Sequence, residues 1–149
     1  MKLVAAILAI AALPATAHAQ QESTPLQAGA VVERFEMVPD RTVIFEPAPD
    51  GKLRILKSTD RDRLAPMPRN PGEVAVSLTV ARKIGAVLEF NSGLDFSFRY
   101  EARAGETQLP TCPVRDSGVA SDQWPQGYRS IEIGPLMRVE RTAPCDAAG

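Results

Sequence analysis

Between residues 73 and 81 apolar and polar side chains alternate strictly. Val74, Val76, Leu78 and Val80 fall on one side; Glu73, Ala75, Ser77 and Thr79 fall on the other. A period of two marks a half-buried β-strand. Residues 95–103 repeat the pattern, with Phe96, Phe98 and Tyr100 opposed by Ser97, Arg99 and Glu101. Residues 86–91 place Leu88 and Phe90 inward, and Asn91-Ser92-Gly93 is turn chemistry. The two runs flanking that turn predict an antiparallel hairpin whose apolar faces centre the core.

Weaker signals fill the rest of the chain. Residues 31–38 read as a strand ended by the Pro39-Asp40 turn. Residues 41–46 are rich in β-branched and aromatic types (Thr42, Val43, Ile44, Phe45), and residues 52–57 set Leu53 and Ile55 two apart. Asp50-Gly51 between them is a hairpin signal. Residues 58–72 lack periodicity and carry Pro66, Pro68 and Pro71, so they predict a long connection. Its Asp60-Arg61-Asp62-Arg63 run reads as a solvated surface. Residues 109–113 read as extended and 115–127 as a loop. Ile131 and Ile133 share one face of a strand over 129–134, and Pro135 confines the following stretch to an edge, bend or bulge.

No segment between residues 20 and 149 shows a helical face, and 13 prolines oppose long helices. Seven or eight short strands separated by turns predict an all-β fold, an antiparallel β-sandwich of immunoglobulin-like architecture. The likeness is one of layers. Trp124 does lie between the two cysteines, but in a loop-like, proline-bounded context rather than on a central strand.

The start of the chain predicts export. Lys2 precedes eleven apolar residues, Leu3 to Leu13, and Ala17-His18-Ala19 has the small-x-small form of a cleavage site. The apolar run is too short to span a bilayer, and no cysteine follows it to take a lipid. The expected organisation is a signal peptide over 1–19, a flexible tail over 20–30 and a single β-sandwich domain over 31–149. The expected location is periplasmic or secreted, with no membrane anchor after processing.

Cleavage would remove Lys2 and His18, the only histidine, leaving 16 cationic against 18 acidic side chains, a net charge of −2. That balance offers nucleic acid no basic field. A chain without imidazole is closed to histidine-based catalysis and histidine metal ligation. No phosphate loop, cofactor motif or metal-ligand spacing appears. Cys112 and Cys145 form an even pair in an oxidising compartment and predict one disulfide, closing a loop worth about 3–4 kcal/mol of chain entropy.

Two sets of residues are candidates for function. Residues 121–128 put Trp124 and Tyr128 in a polar loop, either as contact aromatics or, for Trp124, as a plug over one end of the sandwich. Glu89 and Glu101, on the two arms of the expected hairpin, could form a carboxylate pair; otherwise they belong to a solvated face. The reading favoured is a non-catalytic binding or interaction module with an envelope protein as partner. The alternatives are a carboxylate-based hydrolase of envelope polysaccharide and a structural accessory acting through a sheet edge. If the leader is cleaved, intact-mass measurement of the exported protein finds Gln20 at its N-terminus; an intact Met1 contradicts export.

Overall fold

The computed structural model describes residues 26–60 and 70–146. The signal peptide expected over 1–19, residues 20–25 of the expected tail, residues 61–69 of the expected connection and residues 147–149 lie outside that range. Within it are ten strands and no helix: β1 (Val31–Val32), β2 (Phe35–Met37), β3 (Arg41–Pro47), β4 (Leu53–Asp60), β5 (Val74–Ala81), β6 (Gly85–Ser92), β7 (Ser97–Ala104), β8 (Thr107–Leu109), β9 (Val119–Trp124) and β10 (Ile131–Val139). They form two antiparallel sheets, a six-stranded one ordered β1-β4-β3-β5-β6-β9 and a four-stranded one ordered β2-β10-β7-β8. The result is an antiparallel β-sandwich with its own strand order. The excess over seven or eight strands comes from pieces of two or three residues, β1, β2 and β8.

Inward side chains of the two sheets meet along a seam of rings. Phe90 from β6 lies 4.5 Å from Tyr100 and 6.0 Å from Phe98, both on β7. Phe35 of the small sheet packs on Phe45 of the large one at 5.5 Å. Val43, Val76, Leu78, Leu88, Ile131 and Ile133 fill the remainder and are fully buried. Offset and edge-on rings of this kind add stabilisation beyond the area they bury.

The expected hairpin between 86–91 and 95–103 is not formed. β6 pairs with β5 and β9, whereas β7 pairs with β10 and β8. The chain crosses from one sheet to the other at residues 93–96, so the two apolar faces oppose each other across the core. This arrangement buries both faces, which a hairpin alone would leave on one side. Residues 31–38 also divide: β1 joins β4 in the large sheet and β2 joins β10 in the small one.

Other boundaries move for similar reasons. β4 continues through Ser58–Asp60 because β3 offers partners as far as Arg41, whose buried guanidinium meets Asp60 at 2.6 Å. Residues 26–30, assigned to the tail, are bound: Gly29 N–H donates to Ile55 and Ile55 N–H to Ala30, while Leu26 packs on the core. Val80 is exposed at the far end of its strand. Pro135 coincides with a register shift between Ile133 and Leu136 on β10, so that of the edge, bend or bulge expected there the irregularity lies within the ladder. Gly85 has φ +89°, and a Cβ there would sit 2.0 Å from the Trp124 carbonyl, so only glycine turns β5 into β6 beside β9.

Phe90→Ala empties the middle of the seam and is expected to cost about 3–5 kcal/mol in urea unfolding. Val31→Ala, at an exposed position, is expected to stay within about 0.5 kcal/mol of the parent.

Candidate functional site

Two features on the sandwich carry polar chemistry. The first is a buried network beneath the disulfide. Tyr100 is anchored in the core, and its hydroxyl donates to Asp122 on β9. The same carboxylate accepts the Cys112 backbone N–H at 3.1 and 3.2 Å. Cys112 is bridged to Cys145, as its pairing predicts. Beyond the bridge, Asp146 accepts from the Thr111 N–H at 3.2 Å and hydroxyl at 3.1 Å, and forms an ion pair with Arg99 at 2.9 Å. Arg99 also donates to the Pro144 carbonyl. The C-terminal segment is thus fastened to residues 99–112 by covalent, ionic and hydrogen bonds.

Burial dominates the protonation of this pair. It pushes the Asp122 carboxyl above its ordinary 3.8, opposed by the hydrogen bonds from Tyr100 and Cys112. Burial, then the charge of Asp122, pushes the Tyr100 phenol well above 10.0. A buried acid bonded to a buried phenol is an internal fastening. Sequence reasoning missed Asp122 because its strand was read as a loop. The signal was the alternation Ala120, Asp122, Trp124, hidden by a carboxylate at an inward position.

The second feature is a groove of about 470 Å³ at one end of the sandwich. The end of β3 supplies Glu46 and Pro47, the turn before β5 supplies Pro71 and Gly72, and the β6–β7 crossover supplies Gly93, Leu94, Asp95 and Phe96. The loops are fixed to one another: Gly72 N–H donates to Gly93, Gly93 N–H to Glu73, and Ser117 N–H to Leu94. Gly93 is required there, since a Cβ would lie 2.0 Å from the Asn70 carbonyl. Phe96, expected in the core, precedes β7 and packs against the core cluster rather than within it. It is half-buried, and the Arg138 guanidinium sits 4.8 Å from its ring centre. Glu46 is paired with Arg54 at 3.1 Å, both partly exposed. The groove combines apolar walls with two carboxylates.

The residues singled out from the sequence fall elsewhere. Trp124 is 4% exposed, on a strand rather than a loop, and its indole N–H donates to the Pro110 carbonyl at 3.0 Å. It belongs to the core rather than to an exposed loop. Tyr128 is half-buried against the core with its hydroxyl near Gln126. Glu89 and Glu101 lie on different sheets and form no pair. Glu101 belongs to an ion-pair lattice on the outer face of the small sheet, 2.7 Å from Arg34 and 3.3 Å from Arg103.

Compared with protein-family models, curated proteins and solved structures, the chain matches none. Among the described residues no three His, Cys, Asp or Glu side chains gather as a metal site. No helix among them is long and apolar enough to cross a membrane.

The network has measurable consequences. Replacing both cysteines by serine is expected to lower unfolding free energy by about 3–4 kcal/mol, read by denaturant titration. Between 3.8 and its raised folded value, Asp122 holds a proton more tightly in the folded protein than in the unfolded chain. Stability from this group therefore falls as pH rises through that window, and Asp122→Asn flattens the slope. Above pH 10.0 the unfolded chain ionises Tyr100 while the folded protein does not. A further loss of stability with rising pH follows, and Tyr100→Phe removes it.

Proposed function

We propose that this protein is an exported, non-catalytic binding module of the periplasm or extracellular space, and that the groove beside Phe96 is its contact surface. The apolar walls of Pro47, Pro71, Leu94 and Phe96 beside the carboxylates of Glu46 and Asp95 carry the reading. Apolar shape with a few placed polar groups is the usual make-up of a recognition site. The favoured ligand is an extended segment of an envelope protein bearing basic side chains among apolar ones. The disulfide and the export leader expected from the sequence support the compartment. A sequence without histidine after cleavage supports binding over catalysis.

Because Glu46 and Asp95 border one groove, a carboxylate hydrolase of envelope polysaccharide is the second reading. It requires release of reducing ends from such a polymer, lost in both Glu46→Gln and Asp95→Asn.

Fluorescence anisotropy with short alternating lysine–leucine peptides, and with glutamate–leucine counterparts, separates the outcomes for the first reading. The cationic peptide is expected to bind and to weaken with added salt. Phe96→Ala is expected to reduce affinity about tenfold, equivalent to about 1.4 kcal/mol, and Asp95→Lys to abolish it. Equal binding of the acidic peptide, or none of either, removes the groove as a cationic-segment site.

A further inference from the structure

Three of the four edge strands are short, and β1 and β2 each cover only part of the neighbouring strand. β1 has two residues, β2 and β8 three each, and a bridge from Val114 to Phe98 continues the cover of β7 beyond β8. Short edge strands are a common protection against unwanted pairing. The fourth edge, β9, runs for six residues.

Its backbone directions follow from the ladder. Ser92 N–H donates to Gly118, and the same register continues as Phe90 with Ala120 and Leu88 with Asp122; beyond it Ala86 N–H donates to Gln126, past the end of β9. In an antiparallel pair, alternate residues exchange both bonds. Gly118, Ala120 and Asp122 therefore face β6. The N–H and C=O groups of Val119, Ser121 and Gln123 point away from the sheet. Among the described residues none is bonded to those groups. β9 contains no proline, lysine or bulge, the usual blocks on an edge. Its one charge, Asp122, points inward and is held by Tyr100 and Cys112. Val119 is 66% exposed, the most exposed large apolar side chain among the described residues.

We propose that β9 pairs antiparallel with β9 of a second copy of this chain, about a two-fold axis at Ser121. The sequence of the strand is complementary to its own reverse in that register. Val119 falls opposite Gln123 of the second copy, and Ser121 opposite Ser121, on the outer face. Ala120 falls opposite Asp122, and Gly118 opposite Trp124, on the inner face. No like charges meet, and the widest side chain faces glycine. Every outward group of Val119, Ser121 and Gln123 finds a partner. Centring the axis on Asp122 sets two carboxylates against each other. Centring it on Ala120 leaves Gln123 without a strand residue opposite. The contact is isologous and closes at two copies, extending the large sheet across the axis.

Sedimentation equilibrium of the disulfide-bonded protein over roughly 1 µM to 1 mM tests this. A reversible monomer–dimer equilibrium is expected. Ser121→Lys and Ser121→Glu each place like charges at the axis, and each is expected to weaken dimerisation at least about 100-fold. Mixing the two in equal amounts is expected to restore a dimer, because opposite charges then meet. Ser121→Pro is expected to be monomeric with unchanged circular dichroism, since its lost N–H does not serve β6. Should any Ser121 variant misfold, Val119→Lys reads the same edge from an exposed position. A parent that stays monomeric throughout, a dimer indifferent to these variants, or a charge mixture that stays monomeric overturns the proposal.

Discussion

A buried phenol has to place its hydroxyl on a partner, and most of this molecule's order follows from how Tyr100 does so. Its ring packs on Phe90 across the sandwich at 4.5 Å, and its hydroxyl reaches Asp122 on the opposite sheet. One side chain thus joins the sheets through both apolar and polar contact. An unbonded hydroxyl in that position would cost about 1–3 kcal/mol. Asp122 in turn holds the Cys112 N–H, the disulfide holds Cys145, and Asp146 holds Thr111 and Arg99. The C-terminal segment, which has little apolar surface of its own, is ordered by this sequence of attachments to the core.

β6 is the element through which the remaining features connect. Its inner face carries Phe90 and Leu88 into the core. Its first residue, Gly85, passes against the end of β9, and the chain just past its last residue forms the floor of the groove at Gly93. The groove and the β9 edge are therefore supported by the same buried strand. Loops and edges can present contact surfaces with little mobility when the framework beneath them is this constrained.

Much of the fold was legible in local pattern. The alternation of Val74, Val76 and Leu78, the pairs Leu53 with Ile55 and Ile131 with Ile133, and the irregularity at Pro135 all stand where periodicity and proline geometry put them. The candidate site was not. Phe96 shares the alternation of Phe98 and Tyr100 and packs against the same core, yet it precedes the strand, is only half-buried and lines the groove. Trp124 was hidden in a stretch whose polar composition resembles a loop. Its strand is visible only once Asp122 is seen to be satisfied by a partner 22 residues away.

The sequence by itself determined that the chain builds strands, which faces of them are apolar, and that its two cysteines have only each other to pair with. Those properties depend on neighbours in the chain, on side-chain period and on counting. Only the tertiary structure decided that the apolar faces of β6 and β7 oppose one another across a core, that Trp124 is interior and Phe96 borders a groove, and that β9 is left as an open edge. Strand partnership is a long-range choice, and the same period-two pattern satisfies a hairpin and a sandwich equally well. What separates them is total burial, which no local stretch of residues can report.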